Sequence, residues 1–253
     1  MGYHAFGLNG IGEIAMRFLM LVASLLVAVV APAFADAASE YQAGQTAYDQ
    51  NNYAEAIRHY SNAIKLKPDS RAYVARGNAY DDNGQIDLGI ADYTTAIAMS
   101  PKYPDAYSNR GVAYYRKKEY DRALGDLGKA IELKPDSAFS YVTRGNVYDD
   151  KGLPDQALAD YSTAMQIDPK FYRSYGERGS AYGRLGRFDE AITDLTKGIE
   201  LNPRYTFGYL IRAQIYEKKN DRDKAIADYR QALALDPARA VARQALQRLG
   251  VEP

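Results

Sequence analysis

Six prolines, Pro68, Pro101, Pro135, Pro169, Pro203 and Pro237, follow one another at intervals of 33, 34, 34, 34 and 34 residues. So regular a spacing restricts the chain to architectures made by stacking one small unit. The text between the prolines repeats as well. RGNAY (76–80), RGVAY (110–114), RGNVY (144–148) and RGSAY (178–182) lead to the degenerate RAQIY (212–216). The first copy, AGQTA (43–47), keeps Gly44 but moves its aromatic to Tyr48. Ala or Gly recurs at 56, 89, 123, 157, 191 and 225, and Tyr or Leu at 60, 93, 127, 161, 195 and 229. Small residues occupy 63, 96, 130, 164, 198 and 232.

Each copy reads as two short helices that cannot bury their apolar faces alone, so neighbouring copies must stack. The Gly or Ala at 44, 77, 111, 145, 179 and 213 lets two helix backbones approach closely, with the tyrosines filling the space beside them. Asn51, Gly84, Gly152, Gly186 and Asn220 stand where a first helix ends in a left-handed residue, a conformation Gly and Asn adopt with least strain. Lys118 departs from that pattern. Asp87, Asp121, Asp155, Asp189 and Asp223 open the second helices, where an acid suits the free amides. Each proline then stops its second helix.

These residues resemble the tetratricopeptide repeat (TPR), a 34-residue helix–turn–helix with aromatic, Leu-Gly, Tyr, Ala, Phe and Pro at fixed offsets. The resemblance covers residues 37–239. It implies an all-α, right-handed α-solenoid of six repeats (37–69, 70–103, 104–137, 138–171, 172–205, 206–239), with 240–253 as a C-terminal cap. Tyr replaces the family's usual Trp at 73, 107, 141, 175 and 209, and Arg replaces its Leu before the glycine. The linker after Pro68 is one residue short.

Composition narrows the function. The absence of Cys excludes disulfides, thiolate metal sites and a Cys nucleophile, and two histidines cannot build a multi-His site. With 32 basic and 32 acidic residues there is no global attraction to nucleic acid. No P-loop, dinucleotide fingerprint, nucleophile elbow or HExxH motif is present. Neither cofactor nor metal is expected, and no enzyme activity. The adjacent acids Asp81/Asp82 and Asp149/Asp150 diverge by about 100° on a helix.

Residues 14–35, IAMRFLMLVASLLVAVVAPAFA, join Arg17 to an apolar run and an Ala33-Phe34-Ala35 ending. That is a secretory signal peptide pattern, over 1–35, with Met16 as an alternative start and cleavage expected after Ala35. The run falls short of the about 20 residues of a comfortable membrane span. An exported protein, periplasmic or secreted, is expected. An uncleaved anchor facing the same compartment is the alternative.

Of the 23 tyrosines, sixteen fall at repeat core positions, which makes packing rather than ligand stacking their expected role. Arg76, Arg110, Arg144, Arg178 and Arg212 occur in the same repeats as Asp92, Asp126, Asp160, Asp194 and Asp228, sixteen residues on, whereas repeat one has Ala43 and His59. Such co-occurrence predicts a ladder of Arg–Asp bridges between the two helices of a repeat.

The TPR resemblance also implies a concave groove, lined by the first helices, that binds an extended peptide or partner helix. Its positions, carried over copy by copy, include Gln45, Asn78, Asn146, Ser180 and Gln214 at mid-helix. One turn later come Asp81, Asp82, Tyr115, Arg116, Asp149, Asp150, Arg184 and Lys218. The amides of Asn78 and Asn146 offer donors and an acceptor to a peptide backbone, and the mixed charges suit a partner carrying both signs. The carboxylate clamp of chaperone-binding TPR domains is not expected, because Val74, Ser108 and Val142 stand where its basic residue would be. The chain thus reads as an exported, non-catalytic scaffold for a protein or peptide partner. A self-associating structural array is the alternative, and an unrecognised carboxylate enzyme a remote one.

Overall fold

A computed structural model describes residues 36–252. The expected signal peptide, its alternative start and its cleavage site lie outside the described residues. Thirteen helices fill the described chain. Six pairs follow the proline register: α1 (Ala37–Asp49) and α2 (Tyr53–Leu66), α3 (Ser70–Asp82) and α4 (Ile86–Met99), α5 (Pro104–Arg116) and α6 (Tyr120–Leu133), α7 (Ala138–Asp150) and α8 (Pro154–Ile167), α9 (Tyr172–Arg184) and α10 (Phe188–Leu201), α11 (Thr206–Lys218) and α12 (Arg222–Leu235). The cap is α13 (Ala240–Arg248), which buries Ala242, Ala245 and Leu246 against Leu210 and Tyr229. Each helix packs on its sequence neighbours, and the first helices of consecutive repeats also touch one another. The first helices α1, α3, α5, α7, α9 and α11 therefore share one wall.

The turns inside repeats explain the regular geometry. Asn51, Gly84, Gly152, Gly186 and Asn220 all have positive φ, and Lys118, at φ 60°, adopts the same conformation. Lys118 thus departs in residue type but not in backbone: packing of α5 on α6 holds a β-carbon where glycine would be relaxed. Around Gly84 the amide of Gln85 donates to the Tyr80 carbonyl (2.8 Å), closing the end of α3. Three residues, rather than the four found at later junctions, separate α2 from α3, and the Asp69 side chain caps α3 by accepting from the Arg71 amide (2.8 Å).

Within a repeat the glycine of the first helix faces the large residue of the second. A β-carbon on Gly77 would lie 2.6 Å from Tyr93 Cε1, and one on Gly145 the same distance from Tyr161 Cε1. Tyr93, Tyr161, Tyr229, Leu127 and Leu195 are almost completely buried in these seats.

All five Arg–Asp bridges form, each with two hydrogen bonds. Arg76 Nε and Nη2 donate to Asp92 (2.7 and 2.8 Å), and the other four pairs fall within 2.6–2.9 Å. Two further contacts escape sequence pattern. The remaining Nη1 donates to a hydroxyl of the preceding repeat, Ser61 for Arg76, Thr94 for Arg110, Ser162 for Arg178 and Thr196 for Arg212. The guanidinium also lies between two tyrosines one turn either side: Tyr73 and Tyr80 for Arg76, Tyr141 and Tyr148 for Arg144, Tyr209 and Tyr216 for Arg212. Many consensus tyrosines are therefore half-buried partners of the ladder, held by cation–π attraction, and among the described residues Tyr60, Tyr93, Tyr161 and Tyr229 are the buried ones. The aspartate hydrogen bonds raise each guanidinium further above its ordinary value.

Candidate partner-binding groove

The wall formed by the first helices carries the residues singled out from the sequence, but most of its charges face one another. Arg116 Nη1 meets Asp81 Oδ2 at 2.7 Å, and Arg184 bonds Asp149, each pair linking one repeat to the next. Arg184 Nη1 also donates to Ser180 Oγ (2.9 Å), which is buried. The mixed charges of Asp81, Arg116, Asp149 and Arg184, read from the sequence as suiting a partner that carries both signs, face one another across the repeats. Each lies one repeat from a residue of opposite sign, and stacking brings the two together. Asp82 accepts from the Tyr48 hydroxyl and Asp150 from the Tyr115 hydroxyl (2.9 Å for the latter). Adjacent acids accordingly turn to different partners.

The asparagines are half-engaged. Tyr93 reaches from α4 beneath Gly77, and its hydroxyl donates to Asn78 Oδ1 (2.8 Å); Tyr161 does the same to Asn146 Oδ1 (2.8 Å). Asn109 Nδ2 adds a second bond to Asn78 Oδ1 (2.8 Å). Their acceptors are therefore committed to the fold, whereas neither Nδ2 meets an acceptor among the described residues. Gln45 is exposed and Gln214 half-buried. Lys218, one turn after Gln214, holds its ammonium over the Phe188 ring at 5.9 Å. Val74, Ser108 and Val142 are buried.

A period of two repeats runs through this wall. Asn78, Asp81, Asp82, Tyr93 and Arg116 recur 68 residues later as Asn146, Asp149, Asp150, Tyr161 and Arg184, with the same bonds. The 68-residue spacing is legible in sequence, yet the 34-residue unit masks it. A third, altered copy ends the array, where Glu217 accepts from Tyr229 (2.6 Å) and from Arg248 of the cap (2.8 Å). Among the differences between the two copies, one changes the charge of the wall. Asn109 becomes Glu177, which sequence comparison of single repeats passes over. Burial raises the Glu177 carboxyl to about 7, with Asp150 adding to the rise and Arg173 opposing it.

Tetratricopeptide repeat models match residues 74–138, 140–171, 172–205 and 208–239, and a TPR repeat model matches 44–84. The chain belongs to the tetratricopeptide repeat family. This TPR protein is 35% identical over 72 residues to Hsp70-Hsp90 organizing protein 3 of Arabidopsis thaliana, a match covering 28% of the chain and 13% of that longer protein. In structure it is similar to a chain of the APC/C hetero-tetramer Cut9-Hcn1 (TM-score 0.78, 22% identity, 92% of this chain and 46% of that one). It is also similar to MamA (TM-score 0.55, 28% identity, 63% of this chain and 94% of that one). Among the described residues no helix is long and apolar enough to cross a membrane, and no group of His, Cys, Asp or Glu could hold a metal ion.

Proposed function

We propose that the protein is an exported, non-catalytic scaffold that binds an extended segment of a protein partner along the wall of its first helices. The arrangement of Asn78 and Asn146 carries this reading. Tyr93 and Tyr161 tie down the amide oxygens, so each side chain is oriented before any ligand arrives and presents N–H groups that a peptide carbonyl satisfies. The two amides stand two repeats apart, each held by the same tyrosine bond, and an extended chain running across the repeats meets both. The name of the Arabidopsis relative, an organizing protein for Hsp70 and Hsp90, is consistent with a protein partner. Acid–base catalysis has little support: Asp81 is bound to Arg116 and Asp82 to Tyr48. Export rests on the pattern of residues 14–35.

The test is a pulldown from envelope extract using the full chain and an Asn78→Ala/Asn146→Ala variant. Partners held by the wild type and released by the variant support the groove, and recovery of the same partners by both overturns it. N-terminal sequencing of the protein recovered from cells decides the export reading, which predicts a chain beginning at Asp36.

A further inference from the structure

Glu177 occupies, in the second copy of the two-repeat unit, the place of Asn109 in the first. Asn109 has an internal task there, donating to Asn78 Oδ1 at 2.8 Å. Glu177 has none: its carboxylate makes no hydrogen bond or ion pair with any described residue. A partly buried, unpaired carboxylate works against folding, so the exchange of Asn for Glu replaces a bond that stabilises the array with a group that does not. Groups that cost stability without an internal partner concentrate at functional sites.

The surroundings define what Glu177 would accept. Asp150 on α7 and the hydroxyls of Tyr115, Tyr161 and Tyr205 lie close enough to feel its charge, and Arg173, on its own helix, is the opposing cation. The arginines Arg116 and Arg184 are neutralised by Asp81 and Asp149. Tyr205, whose ring packs on Tyr172 at 4.8 Å, has a buried hydroxyl with no hydrogen-bond partner. An acid surplus thus accompanies an orphan hydroxyl that lies against Gly176, next to Glu177 in the chain, and Tyr161, which feels the charge of Glu177, is the residue that holds Asn146.

We infer that Glu177 is a specificity-determining residue that selects a cationic side chain, Lys or Arg, of an extended peptide whose backbone lies on Asn146. The inference rests on the groove reading above. Repeat three, with Asn109 at the same level, offers no such charge, so the two halves of the groove read different residues of one ligand. An ammonium or guanidinium beside Glu177 supplies the charge-assisted hydrogen bonds that its own fold withholds.

Random dodecapeptides displayed on phage and selected at pH 8 against the full chain provide the test, with Glu177→Gln, Glu177→Asn and Asn78→Ala/Asn146→Ala variants in parallel. The expected result is a Lys or Arg at a fixed position in wild-type selections, lost from both Glu177 selections. Fluorescence anisotropy on one selected peptide should then show affinity falling about tenfold with Glu177→Gln, and the copy with norleucine for Lys should bind both proteins equally. The wild type alone gives a second reading, since preference for the Lys peptide should shrink at pH 5.5, where the carboxyl is protonated. Selected peptides that need the asparagines but carry no basic residue, or a basic preference that survives both Glu177 variants and pH 5.5, overturn the inference and leave the groove standing. A library yielding no peptide dependent on Asn78 and Asn146 overturns both.

Discussion

Arg144 grips Asp160 through hydrogen bonds of 2.7 and 2.8 Å, yet Gly128 occupies the place sixteen residues before it, where Arg110, Arg178 and Arg212 find a hydroxyl. The ladder has one unfilled rung. A β-carbon on Gly128 would meet nothing within 4 Å. Gly128→Ser should therefore stabilise the protein by about 1–2 kcal/mol, combining relief of a helix-interior glycine with a new bond to a charged donor. A higher urea midpoint with unchanged slope is the expected measurement. Gly128→Ala, lacking the hydroxyl, should give only the smaller part.

The bridges themselves are poorly exposed, with side-chain accessibility of 15–22% for four of the arginines, 17% for Arg110, and 8–12% for the aspartates. Asp160→Ala leaves a cation without its partner and should cost about 3 kcal/mol. Arg144→Leu/Asp160→Ala should cost less than the two single changes together, because the second change removes the stranded charge. Additive losses in a double-mutant cycle would show that the pair does not act as a unit.

Glycines in the same array should respond with opposite signs. Gly145→Ala places a β-carbon 2.6 Å from the buried Tyr161 ring and should destabilise by about 1–3 kcal/mol. Gly125→Ala enters open space and should stabilise by roughly 0.5–1 kcal/mol. Gly89 belongs with Gly145: its β-carbon would sit 2.9 Å from the Gly77 carbonyl oxygen, so the close approach of α4 to α3 requires it. Thermal melts of the two variants distinguish required glycines from tolerated ones.

Lys118 holds a φ of 60° with no glycine to relieve it. Lys118→Gly should raise stability by about 1 kcal/mol, less the entropy that glycine adds to the unfolded chain. The reverse change, Gly152→Lys, should lower it by a similar amount. Equal denaturation midpoints for all three proteins would show the left-handed turn to be unstrained.

Burial raises the Glu177 carboxyl to about 7 from its ordinary 4.5. The folded state therefore binds this proton more tightly than the unfolded state does, and stability is lost as pH rises from about 4.5 to about 7, then levels off. Urea midpoints of the wild type and Glu177→Gln should lie closest at about pH 4 and separate above it, with the Gln variant the more stable on the alkaline side. Asp81, also raised by burial, is common to both proteins and cancels in the difference. A constant difference across that range would place Glu177 in water.

Much of the architecture was legible from residue order because the unit is short and written six times. The proline register located every helix pair, and the joint presence of Arg and Asp at a separation of sixteen residues identified all five bridges. Both follow from contacts inside one helix–turn–helix, where local geometry alone determines who meets whom. Composition carried a related fact: the net charge of zero is partly built from these matched pairs.

Tertiary structure decided what happens between units. Tyr48 with Asp82, Arg116 with Asp81, Lys117 with Asp87 (2.5 Å) and Arg184 with Asp149 join residues 30–35 positions apart, and their meeting depends on how one repeat rotates on the next. Single-repeat comparison lists these groups as free; stacking neutralises them and brings Asn109 onto the Asn78 oxygen, which Tyr93 of its own repeat already holds. Glu177 looks ordinary in sequence. The packing of α9 among its neighbours leaves it partly buried and without a partner, because desolvation is a property of the assembled wall and of no residue alone.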